Sequence, residues 1–399
     1  MKMETKFKGF DRIGNLDYEQ RTFVCEVCQN NCDVTEIKIE GGKLFYGDRC
    51  ERYSGIGKDV ETNLPDLFKE REEMLMSYHK KWVERAQKIG IARGGFFNEL
   101  FPLWASFFNE LGFNIALSQK TNKKIIKSGL EKATAEFCYP IKVSFGHYDD
   151  LNGKADYIFA PDIIEMYCSK FQEDREVRDT GWDKSSSCPY LQNIGFVISR
   201  TVNSRNIINP HISFKQSKKQ TVQELCDAFK SVGVNISKPR IRRAFDSAEG
   251  NYFEFKDRLR QRGEKALKDM EKDKGIVIIG RPYSSYDSAM NLNLARKIRS
   301  YGFLVIPQDF LPFPREDLSK RWVNEFAIQG QHILSTASII KEKGLNAVYL
   351  DYFGCGPNSF LKEFFAKEVE RPFLTLQIDE HTADAGLVTR LEAFLESII

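Results

Sequence analysis

Seven of the nine cysteines in this 399-residue chain fall into two patterned sets. The compact set, in VCEVCQNNCD and GDRCERY, is Cys25, Cys28, Cys32 and Cys50. The dispersed set, in FCYP, SCPY and GCGP, is Cys138, Cys188 and Cys355. Each dispersed cysteine has a proline one or two positions later, whereas composition alone predicts about 0.6 such cases. Three cases indicate a shared structural device.

The composition predicts a soluble globular protein of two or three domains. The chain is too long for one ordinary core, and 42% of its residues are hydrophobic and 29% charged. A net charge of +3 is too small to argue for a nucleic-acid partner. The basic run at 238–243 is typical of a solvated helix face. No apolar run approaches the roughly 18 residues of a membrane span, so no membrane partner is expected either.

The cysteines also bear on the compartment. The N-terminal segment MKMETKFKGFDRIGN has no apolar core and predicts no signal peptide. We therefore expect a cytoplasmic protein whose thiols bind metals or react rather than form disulfides. Of the two cysteines outside both sets, Cys226 fits a buried helix position, and Cys168 has no assignment.

The hydrophobic pattern predicts an α/β fold with two doubly wound parallel-sheet lobes, a helical connector and a small cysteine-rich hairpin module. We place the module at 1–60, the first lobe at 61–215, the connector at 216–274 and the second lobe at 275–399. The predicted strands of the lobes are 89–92, 114–118, 157–160, 195–199, 276–279, 303–306, 346–350 and 373–378. The predicted helices flanking them are 62–86, 97–111, 121–128, 284–301, 322–343, 358–367 and 385–399.

The compact set predicts a metal site on the module. Residues 35–46 alternate around Gly41-Gly42, which predicts a two-residue hairpin that carries Cys50 back toward the other three cysteines. The Cys-x2-Cys-x3-Cys run matches neither zinc-ribbon nor ferredoxin spacing, so zinc and a [4Fe–4S] cluster both stay open. A module of ~35 residues needs such a site in order to fold.

The dispersed set predicts chemistry at strand ends. Cys138 and Cys355 fall where a strand ends and a helix begins, the edge at which open α/β sheets bind ligands. A helix N-terminus stabilises thiolates and an anionic cluster. Three cysteines hold a [4Fe–4S] cubane with one open iron, whereas a zinc site would need a fourth ligand, for which His147 is the candidate. Three unrelated buried cysteines are the alternative interpretation.

Two polar segments are less specific. The segment Gly280-Arg-Pro-Tyr283 ends a predicted strand and suits either an anion site or a capping turn. Residues 379–384 end the last strand and suit a polar site wall or a solvated turn. The sequence has no Walker loop, no GxGxxG and no serine-nucleophile elbow, so no motif predicts a nucleotide site.

Several segments, in their order along the chain, resemble a known family. They are GDRCERY, FCYPIK, CPY, IGRPYSSYDSAMNLNLARKI, VIPQDFLP, YFGCGPNSF and DEHTADAGLVTRLEAF. Together they resemble a domain of the 2-hydroxyglutaryl-CoA dehydratase activator (CoA-enzyme activase) proteins of anaerobic bacteria, from about residue 20 to the end. More distantly, the chain is similar to 2-hydroxyacyl-CoA dehydratase subunits and double-cubane cluster proteins.

The resemblance implies two α/β lobes that together hold an iron–sulfur cluster on Cys138, Cys188 and Cys355. It also implies a separate ATPase activator of the sugar kinase/actin type, which carries its own cluster and supplies low-potential electrons. We therefore expect an iron–sulfur reductase component that reduces a small molecule at an open iron. The residues expected to orient this substrate or supply protons are Lys142, His147, Arg281 and Tyr283.

Two other functions stay open. A non-catalytic zinc- or cluster-bearing scaffold that docks the activator would need no open coordination position, whereas a catalyst does. A 2-hydroxyacyl-CoA dehydratase-like lyase would need a CoA pocket, for which there is no motif, and dehydratase subunits lack the compact set. A double cubane would need roughly six thiolates and so would have to recruit that set. The sequence specifies neither the substrate nor whether the chain forms a homo-oligomer.

Overall fold

The chain divides into two compact units, Met1–Glu61 and Thr62–Ile399. The computed structural model describes residues 17–26, 32–39, 42–47, 53, 63–80, 82–167, 184–202, 206–270, 274–312, 322, 324–381 and 384–398. Among these residues, no helix combines the length and the apolar composition that crossing a bilayer requires.

The N-terminal unit contains a three-stranded antiparallel sheet. Its strands, in the order β1-β2-β3, are β1 (Tyr18–Val24), β2 (Asp33–Ile39) and β3 (Gly42–Tyr46). The antiparallel pairing of β2 with β3, which includes Ile39 opposite Gly42, confirms the hairpin, whereas residues 40–41 lie outside the described residues. Gly42 is therefore part of a strand rather than of the turn. The first strand was not predicted.

The first lobe is built on a parallel sheet with the order β5-β4-β6-β8. Its strands are β4 (Lys88–Ile91), β5 (Asn114–Leu117), β6 (Tyr157–Phe159) and β8 (Ile207–Ile208). A separate parallel pair beside it consists of β7 (Asp162–Glu165) and β9 (His211–Ser213). The helices up to the second lobe are α1 (Leu67–Met76), α2 (Phe97–Glu110), α3 (Lys123–Lys132), α4 (Tyr139–Asp150), α5 (Ile194–Thr201), α6 (Lys218–Ser231) and α7 (Lys238–Asp269).

The second lobe is built on a parallel sheet with the order β11-β10-β12-β13. Its strands are β10 (Gly275–Ile279), β11 (Leu304–Pro307), β12 (Asn346–Tyr352) and β13 (Leu374–Ile378). Its helices are α8 (Pro282–Ser285), α9 (Leu294–Ser300), α10 (Ile328–Lys343), α11 (Gly356–Val369) and α12 (Asp384–Ser397). The two sheets have the same strand order, with the first strand in the middle, and this confirms two doubly wound lobes.

The helical connector is confirmed and belongs to the core. Helix α7 presents a stripe of buried residues at helical spacing, including Phe245, Tyr252, Phe255 and Leu259. It packs against α2 of the first lobe and against the turn Gln308–Phe310 that follows β11 of the second. The connector therefore contributes a face to both lobes.

The strand predicted at residues 195–199 is wrong, because these residues belong to α5. A short apolar run suits a strand or a helix equally well. Asp162 favours the helix, because its carboxylate accepts hydrogen bonds from the backbone amides of Gly195 at 2.6 Å and Phe196 at 3.3 Å. These hydrogen bonds cap the first turn of the helix. The capping residue lies more than thirty positions upstream, so no local pattern predicts it.

Three predicted helices are shorter than expected. The one at 284–301 breaks into α8 and α9, because Asp287 folds back on the amides of Ala289 and Met290 and Asn293 has a positive φ of 55°. The one at 62–86 ends at Met76 with α1. The one at 322–343 begins only at Ile328.

Candidate metal centre

Two of the dispersed cysteines lie directly before helices. Cys138 precedes α4 and Cys355 precedes α11, and each helix has a proline in its first turn. The carbonyl of Cys138 accepts the amide of Ile141 at 3.0 Å. Both cysteines are buried. The prolines thus mark helix starts, as the sequence predicts.

The third cysteine, Cys188, lies on a segment tied to both lobes. The preceding residue, Ser187, donates its amide to the Ile164 carbonyl in β7 at 3.0 Å. Next to it, Ser186 donates to the Phe326 carbonyl at 3.1 Å and accepts from the Ile328 amide at 3.0 Å. Cys188 therefore belongs to the first lobe in sequence but is positioned by both.

These three cysteines come together, although they lie far apart in the sequence. A Cβ atom added to Gly354 would lie 3.2 Å from the Cys138 Cα, so the loop before Cys355 passes close to Cys138. Gly354 has a φ of +81°, which favours glycine at this contact. The Cys138 thiol also interacts electrostatically with the thiols of Cys355 and Cys188. We refer to Cys138, Cys188 and Cys355 as the thiol cluster.

Two thiols of this cluster, those of Cys138 and Cys355, are poor nucleophiles by themselves. Burial, with a further contribution from neighbouring Cys355, raises the pKa of Cys138 to about 12. Burial also raises the pKa of Cys355, although Arg281 acts in the opposite direction. A nucleophilic cysteine needs a lowered pKa, whereas a coordinating metal deprotonates a thiol outright. The environment therefore disfavours thiolate catalysis.

Arg281 and Tyr283 lie beside the thiol cluster. The Arg281 guanidinium interacts electrostatically with the Cys355 and Cys188 thiols, and the Tyr283 hydroxyl with all three. Arg281 is only 2% exposed, its Nε donates to Asn358 Oδ1 at 3.0 Å, and its Nη1 is buried without a hydrogen-bond partner among the described residues. Burial raises the pKa of Tyr283, so its hydroxyl keeps its proton.

His147 is not part of this group. Its Nδ1 lies 3.0 Å from the Ser118 hydroxyl and its Nε2 lies 2.9 Å from the Thr121 hydroxyl, which in turn donates to Asp287. It follows Cys138 by nine residues, or about 13 Å along α4. Burial, and then Arg93, lower its pKa to about 3. Because both ring nitrogens are engaged, His147 does not complete the dispersed set as a fourth ligand.

Lys142 is also engaged elsewhere. Its Nζ contacts Glu136 at 2.8 Å and Glu380 at 3.1 Å. The hydrogen bonds that its ammonium donates, first to Glu136 and then to Glu380, raise its pKa against the effect of burial. Lys142 therefore joins α4 of the first lobe to the segment after β13 of the second, and its predicted contact with a substrate stays a prediction.

Two of the four cysteines of the compact set are among the described residues. Cys25 and Cys32 are buried next to each other, with the Cys25 amide donating to the Cys32 carbonyl at 2.8 Å and the Tyr53 hydroxyl 3.7 Å from the Cys25 sulfur. Cys28 and Cys50 lie outside the described residues, as does Cys168. A site formed by all four cysteines thus stays a prediction. Cys226 is buried on α6, as expected.

Within the described part of the chain, no three His, Cys, Asp or Glu side chains are grouped tightly enough for one metal ion.

Asn358 was not predicted from the sequence, although it is fully buried and orients Arg281. Its signal is present in GCGPN, where a polar side chain follows the proline of a helix start.

The fold and the thiol cluster together define a two-lobed α/β protein with buried cysteines at its strand ends. The family model described as the CoA enzyme activase uncharacterised domain (DUF2229) matches residues 88–311, which is more than half of the chain. The chain belongs to this family. The match includes Cys138, Cys188 and Arg281 but ends before Cys355. No curated protein matches the sequence.

Proposed function

We propose that this protein is an iron–sulfur reductase component of an activase system that serves 2-hydroxyacyl-CoA dehydratase-type chemistry. The observation that carries the proposal is the convergence of three buried cysteines from both lobes beside Arg281, whose Nη1 has no hydrogen-bond partner among the residues that the structure describes. Membership of a CoA enzyme activase family supports the link to such a system.

The donor set favours a cluster over a single zinc ion. One tetrahedral ion with bonds of ~2.3 Å brings its thiolates within about 4 Å of one another, and the described residues contain no group of three ligands that could hold one such ion. A cubane binds each thiolate through a different iron and therefore accepts a wider set. Three cysteine ligands leave one iron without a thiolate.

In this proposal, Cys138, Cys188 and Cys355 would hold a [4Fe–4S] cluster, and the chemistry that it would supply is one-electron reduction of a small molecule. The chain itself provides a buried setting, since all three thiols are largely removed from water. The Arg281 guanidinium would offset the negative charge of the thiolate-bound cluster. Tyr283 holds a proton that its hydroxyl can share with a bound small molecule.

The electrons would come from a separate ATP-dependent activator with its own iron–sulfur cluster. The surface next to the thiol cluster suits a protein partner, because Tyr190 and Phe353, close in sequence to Cys188 and Cys355, are 42% and 65% exposed. Exposed aromatic side chains are enriched at protein–protein interfaces. The compact set would be a relay or a structural site.

Anaerobic purification with iron and sulfide analysis, followed by EPR of the dithionite-reduced protein, tests the proposal. We expect iron and sulfide in the wild type, and loss of the same portion of iron in Cys138→Ser, Cys188→Ser and Cys355→Ser. Cys226→Ser is the matched control, a buried cysteine in the same compact unit, and should keep full iron content.

The same preparation distinguishes the alternatives. Cyanide added to the reduced protein should change the EPR signal that Cys355→Ser removes, because an open iron accepts an exogenous ligand. An unchanged signal would support a cluster-bearing scaffold instead of a reductase. Stoichiometric zinc with no iron, or iron loss in Cys226→Ser, would contradict the assignment of the thiol cluster.

A further inference from the structure

We infer that Arg281 sets the reduction potential of the cluster held by Cys138, Cys188 and Cys355, with Asn358 as the residue that positions it. This inference rests on the proposed function. Three cysteine ligands do not by themselves require a buried cation beside them, and the inference gives the Arg281 guanidinium a function there.

The position of Arg281 follows from the topology of the second lobe. Arg281 directly precedes α8, just beyond the end of β10, and Cys355 lies just beyond the end of β12. These strands are neighbours in the sheet, but the chain continues from β10 to β11 on one side and from β12 to β13 on the other. Such a switch point opens a crevice at the carboxyl ends of the strands, and the guanidinium and one ligand flank it.

Asn358 fixes the orientation of the guanidinium. Its Oδ1 accepts from Arg281 Nε, its side-chain amide donates to the Leu350 carbonyl at 3.1 Å, and its own carbonyl accepts the Tyr349 hydroxyl at 2.9 Å. Arg281, Asn358 and Tyr349 are all buried. The guanidinium therefore cannot turn to solvent, and its Nη1 lacks a partner within the described part of the chain.

An unpaired buried N–H at this place has a direct electrostatic consequence. A cluster with three thiolate ligands is anionic and gains one more negative charge on reduction. A nearby buried cation stabilises the more negative state more strongly, and N–H donation to sulfur acts in the same direction. Glu325 and Asp351, which interact with Arg281 and Cys355 respectively, act in the opposite direction and are unchanged in the variants below.

The first lobe supplies a matched control. Arg93 lies just beyond the end of β4, the middle strand of its sheet, as Arg281 does for β10. Arg93 instead donates its Nε to the Ser118 carbonyl at 3.0 Å, and its electrostatic partners are Glu72 and Asp287. It has the same charge at the equivalent strand end but is engaged away from the thiol cluster.

Potentiometric titration of the anaerobic full-length protein, followed by EPR, tests the inference. The signal to follow is the one that Cys355→Ser removes. In Arg281→Gln we expect reduction to be at least about tenfold less favourable, a shift of ~59 mV to lower potential for one electron. Arg281→Lys should shift less because it keeps the charge, and Arg93→Gln should match the wild type.

The outcomes separate the two proposals. A wild type without any cluster overturns the proposed function and this inference together. A wild-type cluster whose potential is the same in Arg281→Gln overturns this inference alone. If Arg281→Gln does not retain the cluster, Asn358→Ala decides, since it keeps the cation but releases its orientation. A shift to lower potential then supports the inference, and an unchanged potential overturns it.

Discussion

Two buried polar groups in the larger unit differ in whether their hydrogen bonds are complete. In the first, Arg71 donates to both carboxylate oxygens of Asp309 at 2.7–3.1 Å and to the Asn98 carbonyl at 2.8 Å. We include in this first group a series of hydrogen bonds that runs from Ser118 through His147 and Thr121 to Asp287. In the other group, Arg281 has one nitrogen bonded to Asn358, one buried nitrogen without a partner among the described residues, and the free thiols of the thiol cluster beside it.

The difference separates structural roles from ligand-binding roles. Buried polar atoms are nearly always hydrogen-bonded, so an unpaired one needs an explanation such as an absent ligand. The Arg71 and His147 networks need none, because they connect residues of both lobes through completed bonds. In the Arg281 group, Nη1 has no partner among the described residues, as the proposed ligand site requires. The first group should therefore respond to substitution through stability, and the second through cluster content and potential.

Breaking the Arg71–Asp309 pair should have the largest effect on stability. Burial alone would raise the pKa of Asp309, but Arg71 outweighs it and lowers that pKa. Arg71→Met keeps an apolar stem but removes the guanidinium, whose carbon lies 3.6 Å from the ring centre of Tyr286, and it leaves a buried carboxylate unpaired. We expect a loss of about 3–5 kcal/mol in the free energy of unfolding, measured by urea denaturation.

The control for this prediction lies on the same helix. Lys69 forms an exposed i,i+4 contact with Glu73 at 3.9 Å, so Lys69→Met should change the free energy of unfolding by less than about 0.5 kcal/mol. Equal effects of the two substitutions would show that the Arg71 network is not a structural link, and the comparison between the two polar groups would fail.

The His147 network should have a smaller effect that depends on pH. His147→Gln removes one of two hydrogen bonds, at a cost of about 1–3 kcal/mol at pH 7.5. Folded His147 stays neutral down to about pH 3, whereas unfolded histidine protonates below about 6.5. The unfolded state therefore binds more protons in this window, and wild-type stability falls as the pH drops.

Urea denaturation at pH 7.5 and 5.5 checks the sign. The stability difference between the wild type and His147→Gln should shrink at the lower pH, by at most about 1.4 kcal/mol per pH unit. His332, whose pKa is also lowered to about 3 by burial, is present in both proteins and cancels. A difference that stays constant or grows on acidification would show that His147 is not held neutral by burial.

The fold was largely predictable because its signals are local. A fully buried run such as Ile276–Ile279 predicts a parallel strand by composition alone, and prolines beside Cys138 and Cys355 mark helix starts. The failure at residues 195–199 has a distant cause, since the Asp162 carboxylate that caps this helix is not a neighbour in sequence.

The cysteines of the thiol cluster could be singled out from the sequence, but the hydrogen-bond partners of the polar residues near them could not. The three cysteines were recognisable by their prolines and by resemblance, whereas the role of His147 depended on Ser118 and Thr121, which the fold brings to it from the end of β5. The unpaired N–H of Arg281 likewise depends on Asn358, 77 positions away. Which polar groups remain unsatisfied is a property of tertiary packing, and no local pattern encodes it.

The smallest expected effect distinguishes the two roles open to Lys142. Its side chain is 12% exposed, and it pairs with Glu380, which is 18% exposed, and with Glu136, which is 95% exposed. A double-mutant cycle of Lys142→Met and Glu380→Gln should give a coupling of about 0.2–1 kcal/mol, typical of partly exposed pairs. The matched cycle with Glu136→Gln should give a smaller coupling, because solvent screens that contact.

Coupling near zero in both cycles would mean that Lys142 contributes nothing as a link between the lobes. Its ammonium would then be free for the substrate contact predicted from the sequence, and Lys142 would join Arg281 as a residue with a role beside the thiol cluster rather than a structural one.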